Sequence, residues 1–289
     1  LGEAAFWSDG FTQESIDRFY GRAGVRGSVL FWRVYPYVDS EVFNLSGLAH
    51  KMLFDFDYGY ADSSRDLSEI PQWNEIDDDA QERFRERLLV NTFGGALPPE
   101  FDPRFYAVRT GAGGSVTAPY HELVDDQQAR RLGWRHRLQT KVGPPDRQRI
   151  KDWMTLDLGV TYFPDAVRDN FGEDLGLFST RYAWHVGDRT SIVASSLFDF
   201  YEDAQNLWSV GVLSQRSVRG SMYVGFRQIQ GGPLDSQILT ASYSYQMSPK
   251  WISTASTAFD IGEGENRGQA LTITRVGEWS LIHLGFNFD

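Results

Sequence analysis

The stretch DWMTLDLGVTYF, residues 152–163, alternates apolar and polar side chains and decides the fold class. One side carries Met154, Leu156, Leu158, Val160 and Tyr162, and the other carries Thr155, Asp157, Gly159 and Thr161. Successive side chains of a β-strand point to opposite faces, so the pattern predicts a strand with one apolar face. The segment has the length of a bilayer-crossing strand, about 9–11 residues, whereas soluble strands average about 5–6.

The same alternation recurs along the rest of the chain. From residue 129 onward it predicts strands at 129–142, 151–163, 175–187, 190–201, 207–216, 220–230, 237–247, 251–261, 268–276 and 279–288. Short breaks rich in Gly, Asp, Ser or Pro separate some of these strands, such as residues 187–189, 218–220, 248–250 and 277–278. Longer breaks at 164–174, 202–206, 231–236 and 262–267 separate the others. Outer-membrane barrels alternate short periplasmic turns with longer extracellular loops, so the rhythm predicts a sidedness.

The first part of the chain is less regular. We leave residues 1–26 as an N-terminal segment without an assigned structure and take 27–289 as the barrel region. Strands are predicted at 28–38 and 48–60, a long polar loop around 61–103, and two further β-like segments between 84 and 118. The prediction is therefore an all-β fold: an antiparallel transmembrane β-barrel, or a large part of one, with about 12–14 strands.

Composition excludes several classes of protein. The chain has no cysteine, which removes disulfides and thiolate metal sites, and its net charge of −11 argues against a general nucleic-acid binder. The mean hydropathy is −0.39, and no apolar run reaches about 18 residues, so no transmembrane helix is predicted. Residues 1–6 lack the basic segment and apolar core of a signal peptide, so we expect a mature chain or a fragment.

Aromatic residues cluster where the predicted strands meet their connections. This set comprises Tyr162, Phe163, Trp184, Trp208, Trp251 and Trp279. Aromatic rings favour the headgroup level of a bilayer, so the set predicts an aromatic girdle at both membrane edges. The alternative is the general preference of β-proteins for aromatic residues near strand ends.

One predicted strand, 129–142, carries four cations on a single face. They are Arg131, Arg135, Arg137 and Lys141. Facing lipid near the midplane, each would cost about 2–4 kcal/mol, so we expect this basic stripe to face the lumen. There it would contact phosphates or carboxylates of a substrate, or it would pair with lumen carboxylates such as Asp157 on the next strand. The two alternatives can coexist.

Motifs for catalysis, metals and cofactors are absent from the sequence. The five histidines are scattered, and neither His-Glu-x-x-His nor Gly-x-Ser-x-Gly occurs. The acidic run at 75–79 lacks the spacing of an EF-hand loop, and the segment 262–266 carries two glutamates that would repel a phosphate. We therefore predict no enzyme, no catalytic residue, no metal site and no cofactor.

Several segments resemble the barrel region of the LptD family, outer-membrane proteins that assemble lipopolysaccharide. The similar segments are RLQTK (137–141), followed by a Gly-Pro turn, DWMTLDL (152–158), YFP (162–164), IPQWNEID (70–77) and GLAH (47–50). The resemblance covers residues 27–289. This chain departs from the family: it has no room for the periplasmic lipid-binding domain, about half the strands and no cysteine.

The resemblance implies a lipopolysaccharide translocon in the outer membrane of a Gram-negative-type bacterium. Its implied partners are lipopolysaccharide or another glycolipid, an LptE-like plug lipoprotein and a periplasmic Lpt bridge, with no covalent chemistry and no nucleic acid. In that case the basic stripe would contact lipopolysaccharide or the plug. A passive porin-like or structural outer-membrane barrel is the alternative, and a soluble β-rich carbohydrate-binding protein is a third hypothesis.

Overall fold

A computed structural model describes residues 2–8, 15–66, 105, 108–111, 125–144, 146–201, 206–231 and 235–288. Its strands are β1 (Gly2–Ser8), β2 (Ser15–Ser40), β3 (Leu45–Ser63), β4 (Gln127–Val142), β5 (Arg149–Tyr162), β6 (Phe178–Val186), β7 (Thr190–Phe198), β8 (Asn206–Gln215), β9 (Gly220–Gln230), β10 (Ser236–Ser248), β11 (Trp251–Asp260), β12 (Glu265–Val276) and β13 (Leu281–Phe288). A short helix, α1 (Ala166–Asp169), lies between β5 and β6.

The strands form one sheet whose order follows the chain, from β1 at one end to β13 at the other. Pairing is antiparallel between β1 and β2 and between all neighbours from β6 to β13. The all-β antiparallel fold is confirmed, and 13 strands lie within the predicted range of 12–14. The ten strands predicted after residue 129 correspond to β4–β13, because alternation over about ten residues is a local and sustained signal.

The sequence assigned no structure to the N-terminal segment 1–26. It contains β1 and the beginning of β2, so strands start well before residue 27. β2 also continues through Pro36 to Ser40 without interruption. The two β-like segments expected between 84 and 118 lie outside the described residues, apart from residues 105 and 108–111, which belong to no strand.

By internal contacts the chain divides into two units. The first unit comprises Leu1–Ser28, Asp55–Leu132 and Gly159–Leu177, and the second comprises Val29–Phe54, Gly133–Leu158 and Phe178–Asp289. Nearly all of the buried apolar residues belong to the first unit: Tyr20, Ala61, Phe105, Ala129, Phe163 and Leu177. The second unit contributes Val142 to the buried apolar residues of the described chain.

The register from β6 to β13 separates two faces of the sheet. One row of directly opposed residues is apolar: Tyr182, Ala194, Val210, Phe226, Leu239 and Phe259. The adjacent row begins with Arg181, Ser195, Ser209 and Arg227. Opposed residues point to the same side of a sheet, so β6–β13 have one apolar face and one polar face.

The apolar face of β6–β13 is exposed. Exposed members include Trp208, Val210, Val212, Val224, Leu239, Tyr243, Tyr245, Met247, Trp251, Phe259, Leu284, Phe286 and Phe288. An apolar surface of this extent is unfavourable in water, whereas it is expected against lipid. Among the described residues, no helix is long and apolar enough to span a membrane.

Candidate functional site

Small and polar side chains dominate the polar face of β6–β13. One complete row consists of His185, Ser191, Leu213, Tyr223, Ser242, Ser256, Ala270 and Asn287. The hydroxyls of this face bond to their neighbours across strands, such as Thr254 Oγ1 to Ser244 Oγ at 3.1 Å. These short side chains form hydrogen bonds with one another close to the sheet and do not extend far from it.

Tyr223 is the largest side chain in the middle of the polar face, and its ring lies along the sheet over two glycines. A methyl group at Gly211 would come within 2.6 Å of ring carbon Cε2, and one at Gly225 would overlap the phenol itself. Both glycines are therefore required for this ring position. Because the ring lies flat, Tyr223 adds apolar contact to the wall without extending away from it.

The row beside Tyr182 carries two arginines on either side of two serines. Arg181 is opposite Ser195, Ser195 is opposite Ser209, and Ser209 is opposite Arg227. The two serine hydroxyls are 2.9 Å apart and hydrogen-bonded. Both arginines are exposed. Sequence reasoning missed these residues because a single arginine on each strand gives no local pattern; only the register brings them into one row.

The apolar face of β6–β13 carries a single charged residue away from the β11–β12 turn, Arg275. It is the second-last residue of β12, and its guanidinium carbon lies 5.8 Å from the centre of the Trp251 ring. A cation at the end of a strand can reach the headgroup level along an aromatic ring. The position of Arg275 is therefore compatible with a lipid-facing surface.

The predicted basic stripe lies on β4. Within the second unit, Arg137 Nη1 forms an ion pair with Asp152 Oδ2 at 3.0 Å, and Gln139 donates to the other oxygen of Asp152 at 2.7 Å. The predicted pairing with a carboxylate of the next strand therefore applies to Arg137, but the partner is Asp152 instead of Asp157. Lys141 is exposed, and Arg135 and Arg131 are half-buried. Whether this stripe contacts a ligand stays a prediction.

A packed cluster in the first unit joins residues 105 and 108–111 to the connection after β5. Leu177 donates its backbone N–H to the Arg109 carbonyl at 2.8 Å, and Arg109 Nε donates to Asn170 Oδ1 at 3.2 Å. Asn170 is fully buried and also donates to the carbonyls of Glu173 and Leu175. Gly111 packs directly on Thr161, the residue before the last in β5. This cluster anchors part of the long β3–β4 connection to the sheet.

Helix α1 lies in the same cluster, where the Asp169 carboxylate accepts hydrogen bonds from an arginine and from a backbone amide. Arg168 donates from Nε and Nη2 to the Asp169 carboxylate at 2.7 and 3.0 Å, and this hydrogen bonding raises the pKa of the Arg168 guanidinium. Asp169 Oδ2 also accepts from the backbone N–H of Gln128 at 2.9 Å. Both oxygens of the buried Asp169 carboxylate accept hydrogen bonds and link α1 to β4. We therefore assign Asp169 a structural role.

Four of the six residues of the predicted aromatic girdle are exposed in the structure, and two are not. Tyr162, Trp208 and Trp251 are about 40% exposed, and Trp279 is 96% exposed in the turn before β13. Trp184 is half-buried against Trp153 and Phe43. Phe163 does not fit the prediction, because it is fully buried beside Gly176. β5 ends at Tyr162, so the period-two rule no longer applies to Phe163. The membrane role of the exposed rings stays a prediction.

Two of the five histidines meet on neighbouring strands, which the sequence did not indicate. His50 Nε2 and His136 Nδ1 are 3.1 Å apart, and their rings stack at 5.4 Å. Trp134 contacts His136 on one side and stacks on Phe54 on the other. Two imidazoles alone do not complete a metal site, and the described residues contain no group of three or more potential ligands. We treat this stack as packing.

The turn between β11 and β12 contains the acidic residues of segment 262–266. Asp260 Oδ1 accepts the backbone N–H groups of Gly262 and Glu263, and Asp260 Oδ2 accepts from Arg267 at 3.3 Å. Arg267 also pairs with Glu263 and Glu265. The segment is a hairpin connection, as the sequence indicated, and the structure adds the salt bridges of Arg267. The acidic run 75–79 lies outside the described residues.

Comparisons with known proteins assign no family. No family model and no curated protein matches the chain. Among solved structures, a triple mutant of the Rhodopseudomonas blastica porin is 10% identical with a TM-score of 0.36, over 99% of this chain and 96% of that one. The structure of P. aeruginosa FpvA bound to heterologous pyoverdines is 10% identical with a TM-score of 0.31, over 98% of this chain and 41% of that one.

The resemblance to LptD is wrong. Porins and FpvA are among the structures that match, and neither a family model nor a curated protein supports LptD. The segments of the resemblance that the structure describes are strand residues of β3, β4 and β5 and the turn after β4, and IPQWNEID lies outside the described residues. Any transmembrane β-barrel needs these features, so they do not distinguish one barrel family from another.

The two faces of β6–β13 indicate the fold class. Strands of about ten residues, an exposed apolar face and an opposite face of small polar residues are the properties of a membrane barrel wall. The predicted fold class, an antiparallel transmembrane β-barrel or a large part of one, is confirmed, as is its predicted location. The chain is an outer-membrane β-barrel protein of a Gram-negative-type bacterium.

Proposed function

We propose that this chain forms the wall of a porin-like passage that lets small polar solutes cross the outer membrane passively. The observation that carries the proposal is the absence of a buried apolar residue anywhere in β6–β13, as far as the structure describes them. In a soluble sheet at least one face packs on a protein core. Here one face suits lipid and the other suits water, and solute passage requires a water-lined wall.

The side chains of the polar face support passage further. Ser, Thr, Gly and Ala recur along its rows, and the one large residue in the middle, Tyr223, lies flat over Gly211 and Gly225. Short side chains leave room beside the wall for water and solute. Passive diffusion needs no catalytic group, in agreement with the sequence prediction that the chain is not an enzyme.

The test is conductance of the purified full-length chain in planar lipid bilayers. We expect stepwise current increases in potassium chloride, and sugar-dependent swelling of liposomes that falls off with sugar size. A chain that inserts stably and carries no current would be a structural barrel, the alternative to a passage.

A matched pair of variants links the current to the polar face. Ser242 lies on the polar face, and its neighbour Ala241 lies on the apolar face. Ser242→Trp places a large ring beside the passage, so it should lower the unitary conductance by about a third or more, whereas Ala241→Trp should leave it unchanged. Equal effects of the two substitutions would contradict the assignment of the faces.

A further inference from the structure

The exposed polar face of β6–β13 carries positive charge that no carboxylate on the same strands balances. Within these eight strands, the acidic residues are Asp260 and Glu265, which adjoin the β11–β12 turn. Asp260 is buried and already engaged with Arg267 and two turn amides. Within these eight strands, Arg181 and Arg227 are opposite serines and Ile238 and no acid.

The geometry of the row suits an anion. Arg181, Ser195, Ser209 and Arg227 occupy four successive strands, so the two arginine Cα atoms are about 14 Å apart at the usual strand spacing. Both arginines are exposed on the same face as the central serine pair. Guanidinium forks bind carboxylates and phosphates in bidentate fashion, and a serine hydroxyl is a donor that can complete the contact.

We infer that the row Arg181, Ser195, Ser209 and Arg227 makes the passage anion-selective, with phosphate and small carboxylates as its preferred ligands. The inference rests on the proposed function, because it needs a passage. It is also opposite to what overall charge would indicate: the chain carries −11, which by itself would favour cations. The local field beside the passage decides, because exposed charges more than about 8–10 Å away are largely screened at physiological salt.

The experiment measures the reversal potential of the full-length chain in a tenfold potassium chloride gradient. Wild type should prefer chloride, and R181Q/R227Q should lower the chloride-to-potassium permeability ratio at least threefold. R275Q is the matched control, since it removes the same group from the apolar face, and its ratio should equal that of wild type. The lysine variant R181K/R227K keeps the charge, so it should remain anion-selective.

Inorganic phosphate and acetate test the ligand class. Added at millimolar concentration on one side, each should reduce the chloride current of wild type in a saturable way. The reduction should be several-fold weaker in R181K/R227K, which lacks the planar forks, and weaker still in R181Q/R227Q. Before measurement, all variants are compared for heat-modifiable migration, so that a misfolded variant is recognised and replaced by the single substitutions R181Q and R227Q.

The outcomes separate the two proposals. If the inserted wild-type chain carries no current, the proposed function fails. If it conducts but prefers potassium, or if folded R181Q/R227Q and its single substitutions keep the wild-type ratio, the passage stands and the anion row is overturned. Unchanged phosphate block in R181K/R227K would contradict the ligand class.

Discussion

The ring of Tyr223 lies over Gly225, two residues further along β9, so closely that a methyl group at Gly225 would overlap the phenol. The two residues are on the same face because the side-chain period of a strand is two. The Tyr223 ring therefore folds back onto the wall, over Gly225 and the opposed Gly211. A substitution at either residue would therefore change both the stability of the sheet and the free space beside its polar face.

We predict that Gly225→Ala destabilises the chain by about 1–2 kcal/mol, because the Tyr223 ring must leave its place on the wall. In a Tyr223→Ala background the same change should be neutral or stabilising by up to about 1 kcal/mol, since a strand glycine then loses only its excess flexibility. Unfolding in urea with lipid vesicles measures both values.

Gly285 is the control for this pair. It is also on the polar face, in β13, and nothing lies within 4 Å of a methyl group placed there. Gly285→Ala should therefore not destabilise the chain in either background. A loss at Gly285 as large as that at Gly225 would argue against the Tyr223 contact as the cause.

Asp152 is the carboxylate that offsets Arg137 in the basic stripe. We predict that Asp152→Asn raises the chloride-to-potassium permeability ratio, because it frees Arg137 without removing the hydrogen-bond acceptor. Both side chains are partly exposed, so the free energy of unfolding should change by less than about 1 kcal/mol. Asp146→Asn, in the exposed β4–β5 turn, is the control and should change the ratio less. Equal shifts of the permeability ratio in the two variants would indicate that the basic stripe lies away from the passage.

Strand positions were predictable from sequence because alternation is a local property. Each of β4–β13 was predicted to within a few residues, and the polar connections between them were identified by Gly, Pro and Asp. The family was not predictable, since those same features belong to every membrane barrel. Alternation also ends with the strand, which is why Phe163, one residue beyond β5, is buried instead of exposed.

The residues that come together across strands were not predictable, because they depend on register. A shift of one residue in a strand exchanges its two faces. The Arg181 row, the stack of His50 on His136 and the choice of Asp152 over Asp157 as the partner of Arg137 all depend on which residues are opposite. Arg109, which anchors the β3–β4 connection, lies in the region 84–118 where the sequence predicted β-like segments, and no local pattern indicates its contact with Asn170.

Asp260 organises the β11–β12 turn by accepting two backbone amides. We predict that Asp260→Ala increases hydrogen exchange at the amides of Gly262 and Glu263 about fivefold or more, because each loses its acceptor. Glu265→Ala is the control: Glu265 pairs with Arg267 at 3.6 Å but accepts neither amide, so exchange there should stay at the wild-type rate. Faster exchange in both variants would indicate that the charges of the turn, and not the hydrogen bonds of Asp260, keep it ordered.

Gly176 permits the docking of the segment around Arg109 in the first unit. A methyl group at this position would overlap the Arg109 carbonyl and come within 2.9 Å of the Phe163 ring. Both are buried, and the carbonyl is held by Leu177 N–H, so neither can move without breaking the cluster. We predict that Gly176→Ala releases the segment at a cost of about 1–3 kcal/mol.

Trypsin measures this release, because Arg109 is a cleavage site that is only 3% exposed in the docked cluster. Cleavage after Arg109 should be at least tenfold faster in Gly176→Ala than in wild type. Gly21→Ala is the control in the same unit, since nothing lies within 4 Å of a methyl group there. Asn170→Ala removes the acceptor of Arg109 Nε and should also accelerate cleavage. If Gly176→Ala is cut no faster than Gly21→Ala, the segment is held by contacts other than those around Gly176.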